Sequence, residues 1–279
     1  MKRKIVVDSS ADVLSIEKNS FSSVPLTILT DKKEYVDDES QDVDAMVKEL
    51  SEYHGKSHTS CPSTGSWLES FDGYDEIFVI TITSKLSGSF NSAILAKNMY
   101  IDENPNVKIH IFDSLSTGPE MKLLLEKIIE LINENESFDN IVDLGEKYLD
   151  STELFFSLES IHNLAQNGRV SKLSEVAARL LNIRIVGKAQ EGVLNILNKC
   201  RGVKKTFSTL IEHILGANYN GGKIRIAHVN NFNFANKIKE FILEKFKNAD
   251  IQIYKSRGLC SFYAEEGGLL IGIETDNPC

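Results

Sequence analysis

Residues 76–100 read EIFVITITSKLSGSFNSAILAKNMY, and the fold turns on how the two ends of this stretch are taken. The first eight residues are mostly β-branched or aromatic and predict a strand. From about Ser89 to Tyr100, Phe90, Ile94, Leu95 and Met99 recur at helical spacing, so a helix follows. Between the two lies a loop containing Ser84, Ser87, Gly88 and Ser89, none of them an acid, a base or a metal ligand. Small hydroxyls and glycine suit a site that grips an anion by hydrogen bonds better than one that performs catalysis.

The same pattern of strand, hydroxyl-rich exit and helix recurs on either side. KIVV (4–7) empties into Asp8-Ser9-Ser10, and VKIHIFD (107–113) leads through Asp113-Ser114 to the amphipathic PEMKLLLEKIIELINEN (119–135). VPLTIL (24–29) and KEYV (33–36) flank a Thr-Asp-Lys turn and predict a small hairpin. Helical spacing over 42–53 has Ser40 and Asp42 as candidate caps, Pro62 suits the first turn of a short helix in 61–71, and a further helix is expected over 138–149. Strands alternating with helices predict an α/β domain over residues 1–150, with a mostly parallel sheet flanked by helices. Ligands of such sheets sit beyond the carboxyl ends of the strands, where the three hydroxyl-rich exits would converge. A helix starting at Ser89 would aim its N–H groups and positive dipole end into that crevice.

After residue 150 the rhythm changes. ELFFSLES (153–160) predicts a strand and SKLSEVAARLL (171–181) a helix. Two strands over 182–200 surround the turn signal Gln190-Glu191-Gly192. Helices at 203–215 and 233–247 and strands at 223–229, 251–255 and 267–274 complete an α+β domain with a mixed sheet, residues 151–279.

Chain-wide properties narrow the function. The 279 residues are 42% apolar and 25% charged, which fits one large domain or two of medium size. A net charge of −9 with no clustered basic face argues against nucleic acid as a partner. No apolar stretch approaches the ~20 residues of a membrane span, and the start is too poor in apolar residues for a signal peptide. Four cysteines without a C-x-x-C pair read as reduced thiols in a cytoplasmic protein.

Several catalytic or metal motifs fail on inspection. GKS (55–57) lacks the glycine that a P-loop needs at position 50, which is leucine. Ser87 is preceded two residues earlier by Lys85, so the loop is not a G-x-S-x-G elbow. His54, His58 and Cys61 are close in sequence, yet Gly55 interrupts the helical spacing and no fourth ligand is apparent; surface loop residues are the simpler reading. His110 reads as a satisfied interior or edge residue, and Asp139 and Asp143 as solvated charges on a helix.

Taken in order, DSSAD (8–12), VPLTI (24–28), TSCPS (59–63), SKLSGSFNSA (84–93), DSLS (113–116), NGRVSK (167–172) and KCRG (199–202) resemble the DegV family of bacterial fatty-acid-binding proteins almost from end to end. The resemblance implies a carrier of one long-chain fatty acid, held between two domains, whose carboxylate is presented to a partner fatty acid kinase for conversion to an acyl phosphate. The second domain would close over the acyl chain, and no catalytic residue, metal or cofactor is implied. Thr59 and Ser60, with Pro62 and Ser63, match the family's T-S-x-P-S, and Ser87, Gly88 and Ser89 match its S-G-T/S; these would hold the carboxylate. Arg169 and Arg201 match two family arginines expected near the mouth, Arg201 as a contact for the partner. Many members carry a histidine in a glycine-proline-glycine segment near the C-terminus; this chain has CSFYAEEGGLLIGI (260–273), in which Tyr263 is the nearest stand-in.

Physical chemistry is consistent with such a ligand. A fatty carboxyl, with a pKa of about 4.3, is anionic at neutral pH and costly to enclose without donors. Burial of about fourteen methylenes supplies on the order of 10 kcal/mol before ordering costs. The residues taken alone leave two other classes open. One is an enzyme acting on a small phosphorylated or carboxylated metabolite, and the other an interaction module regulated by its ligand.

Overall fold

The computed structural model describes residues 1–170 and 183–276. The first half runs β1 (Arg3–Asp8), β2 (Ser20–Val24), β3 (Thr27–Leu29), β4 (Glu34–Val36), α1 (Val43–Ser51), β5 (His58–Ser60), α2 (Thr64–Phe71), β6 (Glu76–Thr81), α3 (Ser89–Glu103), β7 (Lys108–Asp113), α4 (Pro119–Asn133) and α5 (Phe138–Leu149). The second runs β8 (Thr152–Leu158), α6 (His162–Gln166), β9 (Ile183–Gln190), β10 (Val193–Arg201), α7 (Gly202–Gly216), β11 (Ile224–His228), α8 (Phe232–Lys245), β12 (Ile251–Lys255), α9 (Gly258–Ala264) and β13 (Leu269–Glu274).

All six residues of β6 are buried, as a strand covered on both faces requires. It lies inside a parallel sheet ordered β2-β1-β6-β7. Successive side chains alternate between two cores. Val6, Ile77 and Val79 pack with Trp67 and Phe71 of α2 and Ala93 and Ala96 of α3. Ile5, Val7, Phe78 and Ile80 pack with Met121, Leu124 and Ile128 of α4 and Ile141 of α5. The register places Val7 opposite Ile80 and Thr81 opposite Asp113, so the exits of β1, β6 and β7 lie level at one edge.

The second sheet is mixed, ordered β10-β9-β8-β13-β11-β12, with only β11 and β12 parallel. The expected α/β architecture, a parallel sheet flanked by helices followed by an α+β unit, is therefore found. One face of the mixed sheet is covered by α7 and α8, through Leu210, Ile214, Phe234 and Ile238. Its other face meets α4, which packs on β8, β11 and β13 as well as on β6. Arg225 of β11 ties this seam, its Nε and Nη2 donating to Glu126 of α4 at 2.8 and 2.6 Å and Nη2 also to Asp250 at 2.6 Å. At Gly272 a Cβ would fall 2.8 Å from backbone atoms of Pro119 and Glu120, so glycine lets β13 run against the first turn of α4.

Several local expectations change. SFSSV (20–24) is a strand, although its serines carry no alternating apolar signal. HTS (58–60) is a strand too, which joins β3 and β4 in a small antiparallel sheet ordered β4-β3-β5. Pro62 precedes the first turn of α2 rather than occupying it, because Ser63 is the cap, accepting from Ser66 N at 3.1 Å. Asp42, not Ser40, caps α1. The helix expected over 171–181 lies outside the described residues. The turn between β9 and β10 has positive φ at both Glu191 and Gly192, as a two-residue hairpin demands. Its Gly192 carbonyl accepts from Thr83 Oγ1 at 3.0 Å, so the hairpin reaches back to the exit of β6.

Candidate functional site

The three level exits are bound to one another. Asp8, wholly buried, accepts from the Ser10 backbone at 3.2 Å, from the Ser10 hydroxyl, from Ile82 N at 2.9 Å and from Ser89 Oγ at 2.6 Å. Burial pushes its pKa up, while these four donors oppose that shift. Asp113 Oδ1 accepts from Ser84 N at 3.0 Å, and Ser116 O from Thr83 N at 2.9 Å. Many of the polar groups at these exits therefore build the rim rather than face a ligand.

Inward of the rim, an apolar cavity of about 50 Å³ lies between the two halves of the chain. Leu26, Ile82 and Leu86 contribute from the first half, and Phe156, Leu158 and Leu270 from the second. Its polar wall residues are Thr59, Ser87, Thr117, Arg169 and Tyr263, together with the Cys260 thiol. Thr59, Ser87 and Arg169 also line an outer depression of about 370 Å³ with His58, Ser60, Cys61 and Gly88. These three residues thus stand where an open vestibule meets an apolar interior.

Hydrogen-bond accounting shows what the cluster can donate. Thr59 Oγ1 and Tyr263 OH are 2.7 Å apart; one hydroxyl donates to the other, leaving one O–H for a ligand. Ser87 Oγ accepts from Ser89 N at 3.2 Å, which leaves the Ser87 proton available to an acceptor in the cavity. Arg169 Nε donates to Leu86 O at 3.0 Å and Nη1 to Asn167 O, anchoring a guanidinium that carries five donors. Gly88 supplies no side-chain cap to α3, although Ser87 Oγ takes the N–H of Ser89, and the helix dipole adds favourable potential for an anion at this end. Burial raises the Tyr263 pKa, so the phenol stays a neutral donor at neutral pH. Among the described residues, no histidine or carboxylate lines the inner cavity to serve Ser87 as a base.

The sequence-derived residues divide accordingly. Thr59, Ser87, Arg169 and Tyr263 meet at the inner cavity. Ser60 does not join them, because adjacent strand residues point to opposite faces; its hydroxyl donates to Cys61 O at 3.2 Å and it lines only the vestibule. Gly88 also lines only the vestibule, where a Cβ would come 3.2 Å from Cys61 Sγ. The Ser89 hydroxyl, expected to meet the carboxylate directly, is instead turned to Asp8. Arg201 lies away from the mouth. Val170, next to Arg169, bridges to Leu194 near the start of β10, whereas Arg201 ends that strand, roughly 20 Å further along it. It is exposed there.

Other candidates resolve plainly. His110 lies on β7, which edges its sheet, with its Nε2 2.8 Å from Glu146 Oε1 of α5. No group of three or more potential metal ligands occurs among the described residues, His54, His58 and Cys61 included. None of these helices is long and apolar enough to cross a membrane. Thr117, Cys260, Leu86 and Leu164 were not legible as wall residues. α9, which carries Tyr263, is held by a long-range cap in which Asp37 accepts from Gly258 N at 2.7 Å and Leu259 N at 2.9 Å.

A family model described as "Uncharacterised protein, DegV family" matches residues 2–276. A DegV domain-containing protein of Streptococcus pneumoniae is 45% identical over 281 residues, spanning 99% of this chain and 100% of its own. Among solved structures, the S. pneumoniae Fatty Acid Kinase (Fak) B3 protein, loaded with linoleic acid, is 44% identical. It superimposes with a TM-score of 0.96 over 99% of this chain and 100% of its own. A DegV family protein from Eubacterium eligens loaded with heptadecanoic acid is 43% identical with a TM-score of 0.95, covering 98% and 100%. Sequence and fold thus agree along nearly the whole length, and the chain belongs to the DegV family.

Proposed function

We propose that this protein binds a long-chain fatty acid in the cavity between its two sheets and presents the carboxylate to a partner fatty acid kinase. The observation that carries this reading is an apolar cavity with Thr59, Ser87 and Arg169 gathered where it meets an open vestibule, and with Tyr263 hydrogen-bonded to Thr59 just inside. Charge and hydroxyl donors offset the cost of burying the carboxylate, and the leucine-rich wall takes the chain. A volume of about 50 Å³ accommodates a few waters, so a long acyl chain enters only as the apolar side chains part. The relatives crystallised with linoleic and heptadecanoic acids support this reading.

In this scheme residues 1–150 form the domain whose loops bind the carboxylate, and residues 151–279 form the domain that closes over the chain. The protein performs no covalent chemistry alone and uses no further cofactor. It works in the cytoplasm without nucleic acid, and exposed Arg201 belongs to the surface that meets the kinase. Thr59, Ser87, Arg169 and Tyr263 hold the head group, while Ser60, Gly88 and Ser89 shape its surroundings.

Denaturing the purified protein and analysing the extract by mass spectrometry tests the central point. Stoichiometric long-chain acid is expected, either as purified or after incubation with one. A protein that neither carries nor takes up such an acid would refute the proposal. Affinity that falls as the tail is shortened separates this carrier from an enzyme for a small anionic metabolite, whose affinity would not depend on tail length.

A further inference from the structure

The wall of the inner cavity carries one polar feature that the head-group reading does not use. Thr117 lines the cavity beside Leu259 and Leu270 and is only 9% exposed. Its hydroxyl meets the Cys260 sulfur at 3.6 Å. That thiol has an acceptor of its own, the Ser10 carbonyl at 3.4 Å. Burial pushes the Cys260 pKa well up, so the thiol keeps its proton and has a single S–H to give. With that proton directed to Ser10 or to the neighbouring Asp12 carboxylate, the Thr117 hydroxyl is left with sulfur, a weak acceptor.

The backbone that carries this hydroxyl is also pinned on its far side. The next backbone N–H, of Gly118, donates to Ser10 O at 2.8 Å, and Pro119 then opens α4. An underused donor in this mostly apolar part of the wall does little for a plain hydrocarbon chain. For a chain bearing an oxygen atom at the same depth it is different. That oxygen would lose its hydration on entry, and an apolar wall would leave it unpaired.

We propose that Thr117 is a specificity-determining residue whose hydroxyl pairs with a hydroxyl or keto oxygen carried part-way along the acyl chain. The cavity then discriminates among oxygenated long-chain acids by the position of that substituent. This rests on the fatty-acid reading of the cavity. One such hydrogen bond corresponds to about a three- to tenfold difference in Kd.

The test uses long-chain acids of one length, each with a single keto group at a different carbon, and the unsubstituted acid as reference. Competition binding to the delipidated full-length protein gives Kd against substituent position. We expect a tightening of about three- to tenfold at one position, or two adjacent ones, relative to the positions on either side. Thr117→Val should flatten that maximum, Thr117→Ser should keep it, and Cys260→Ala, which removes the competing sulfur, should sharpen it. A flat profile in the wild type overturns the proposal, as does a maximum that survives Thr117→Val. Failure to bind even the unsubstituted acid overturns the fatty-acid reading itself, whereas loss of positional preference alone overturns only the role of Thr117.

Discussion

Replacing Tyr263 with phenylalanine probes the head-group cluster at its most specific point. The substitution keeps the ring that packs edge-on against Phe262 with centroids 4.8 Å apart, and deletes only the hydroxyl that lies 2.7 Å from Thr59 Oγ1. In the unliganded protein Thr59 loses one neutral partner. In the complex the carboxylate loses either a donor or the partner that orients one. Hydrogen bonds to a charged group contribute about 1.5–3 kcal/mol, which corresponds to roughly a 10- to 150-fold rise in Kd. Thr59→Val should cost a similar amount. Because the two hydroxyls share one bond, the double variant should lose less than the sum of the single losses, with a coupling of about 0.5–3 kcal/mol. Displacement of a fluorescent fatty acid from delipidated protein measures all four Kd values, and urea unfolding of the same preparations checks that the fold is retained. A Tyr263→Phe protein that is equally stable and binds within twofold of wild type would remove Tyr263 from the site and refute the argument.

Three further outcomes are expected. Ser89→Ala takes the 2.6 Å donor from buried Asp8, so urea unfolding should show a loss of about 1–3 kcal/mol, while Kd shifts less than in Ser87→Ala; the reverse order would make Ser89 a direct ligand. Stability should rise as pH falls from 8 to 6, because burial raises the buried Asp12 and Glu120 to about 7, above unfolded values near 4. Each then contributes stability that is complete below about pH 4 and is lost as pH rises through 7, a difference of order 1 kcal/mol per group between pH 6 and 8; urea midpoints should show the trend and Asp12→Asn with Glu120→Gln should flatten it. Arg201→Ala should leave fatty-acid affinity intact and slow phosphorylation of the bound acid by the partner kinase; equal loss of both would move Arg201 into the pocket.

The parallel sheet was legible because its strands are apolar runs that end in hydroxyl-rich exits, and β6 with α3 shows both signals within 25 residues. β2 was not, since Ser22 and Ser23 give it neither alternation nor a run, and its place depends on pairing with β1. The site was partly legible for the same kind of reason. Ser87 follows a strong strand, and Thr59 stood out only as one of a pair, until a three-residue strand separated it from Ser60. Tyr263 could be tied to the site only through resemblance. Its short helix is fixed by Asp37, 221 residues earlier in the chain, and no local pattern encodes such a partner. Ser89 shows the converse limit. A hydroxyl after a strand is easily noticed, but whether it faces a ligand or a buried carboxylate depends on what another strand delivers beneath it.

The position of α4 has a bearing on how genes of this family can be recombined. Its residues Met121, Leu124 and Ile128 belong to the core of the parallel sheet, while Glu126 and the first turn are committed to β11 and β13. One helix therefore serves as a common partition, although the chain makes it well before the mixed sheet begins. A chimera joined near residue 150 would set one parent's partition against another parent's β13 and Arg225, and should express as an insoluble or loosened product. Transplanting α4 together with the matching β11 and β13 should restore a cooperative melt, so the natural unit of exchange is discontinuous in sequence.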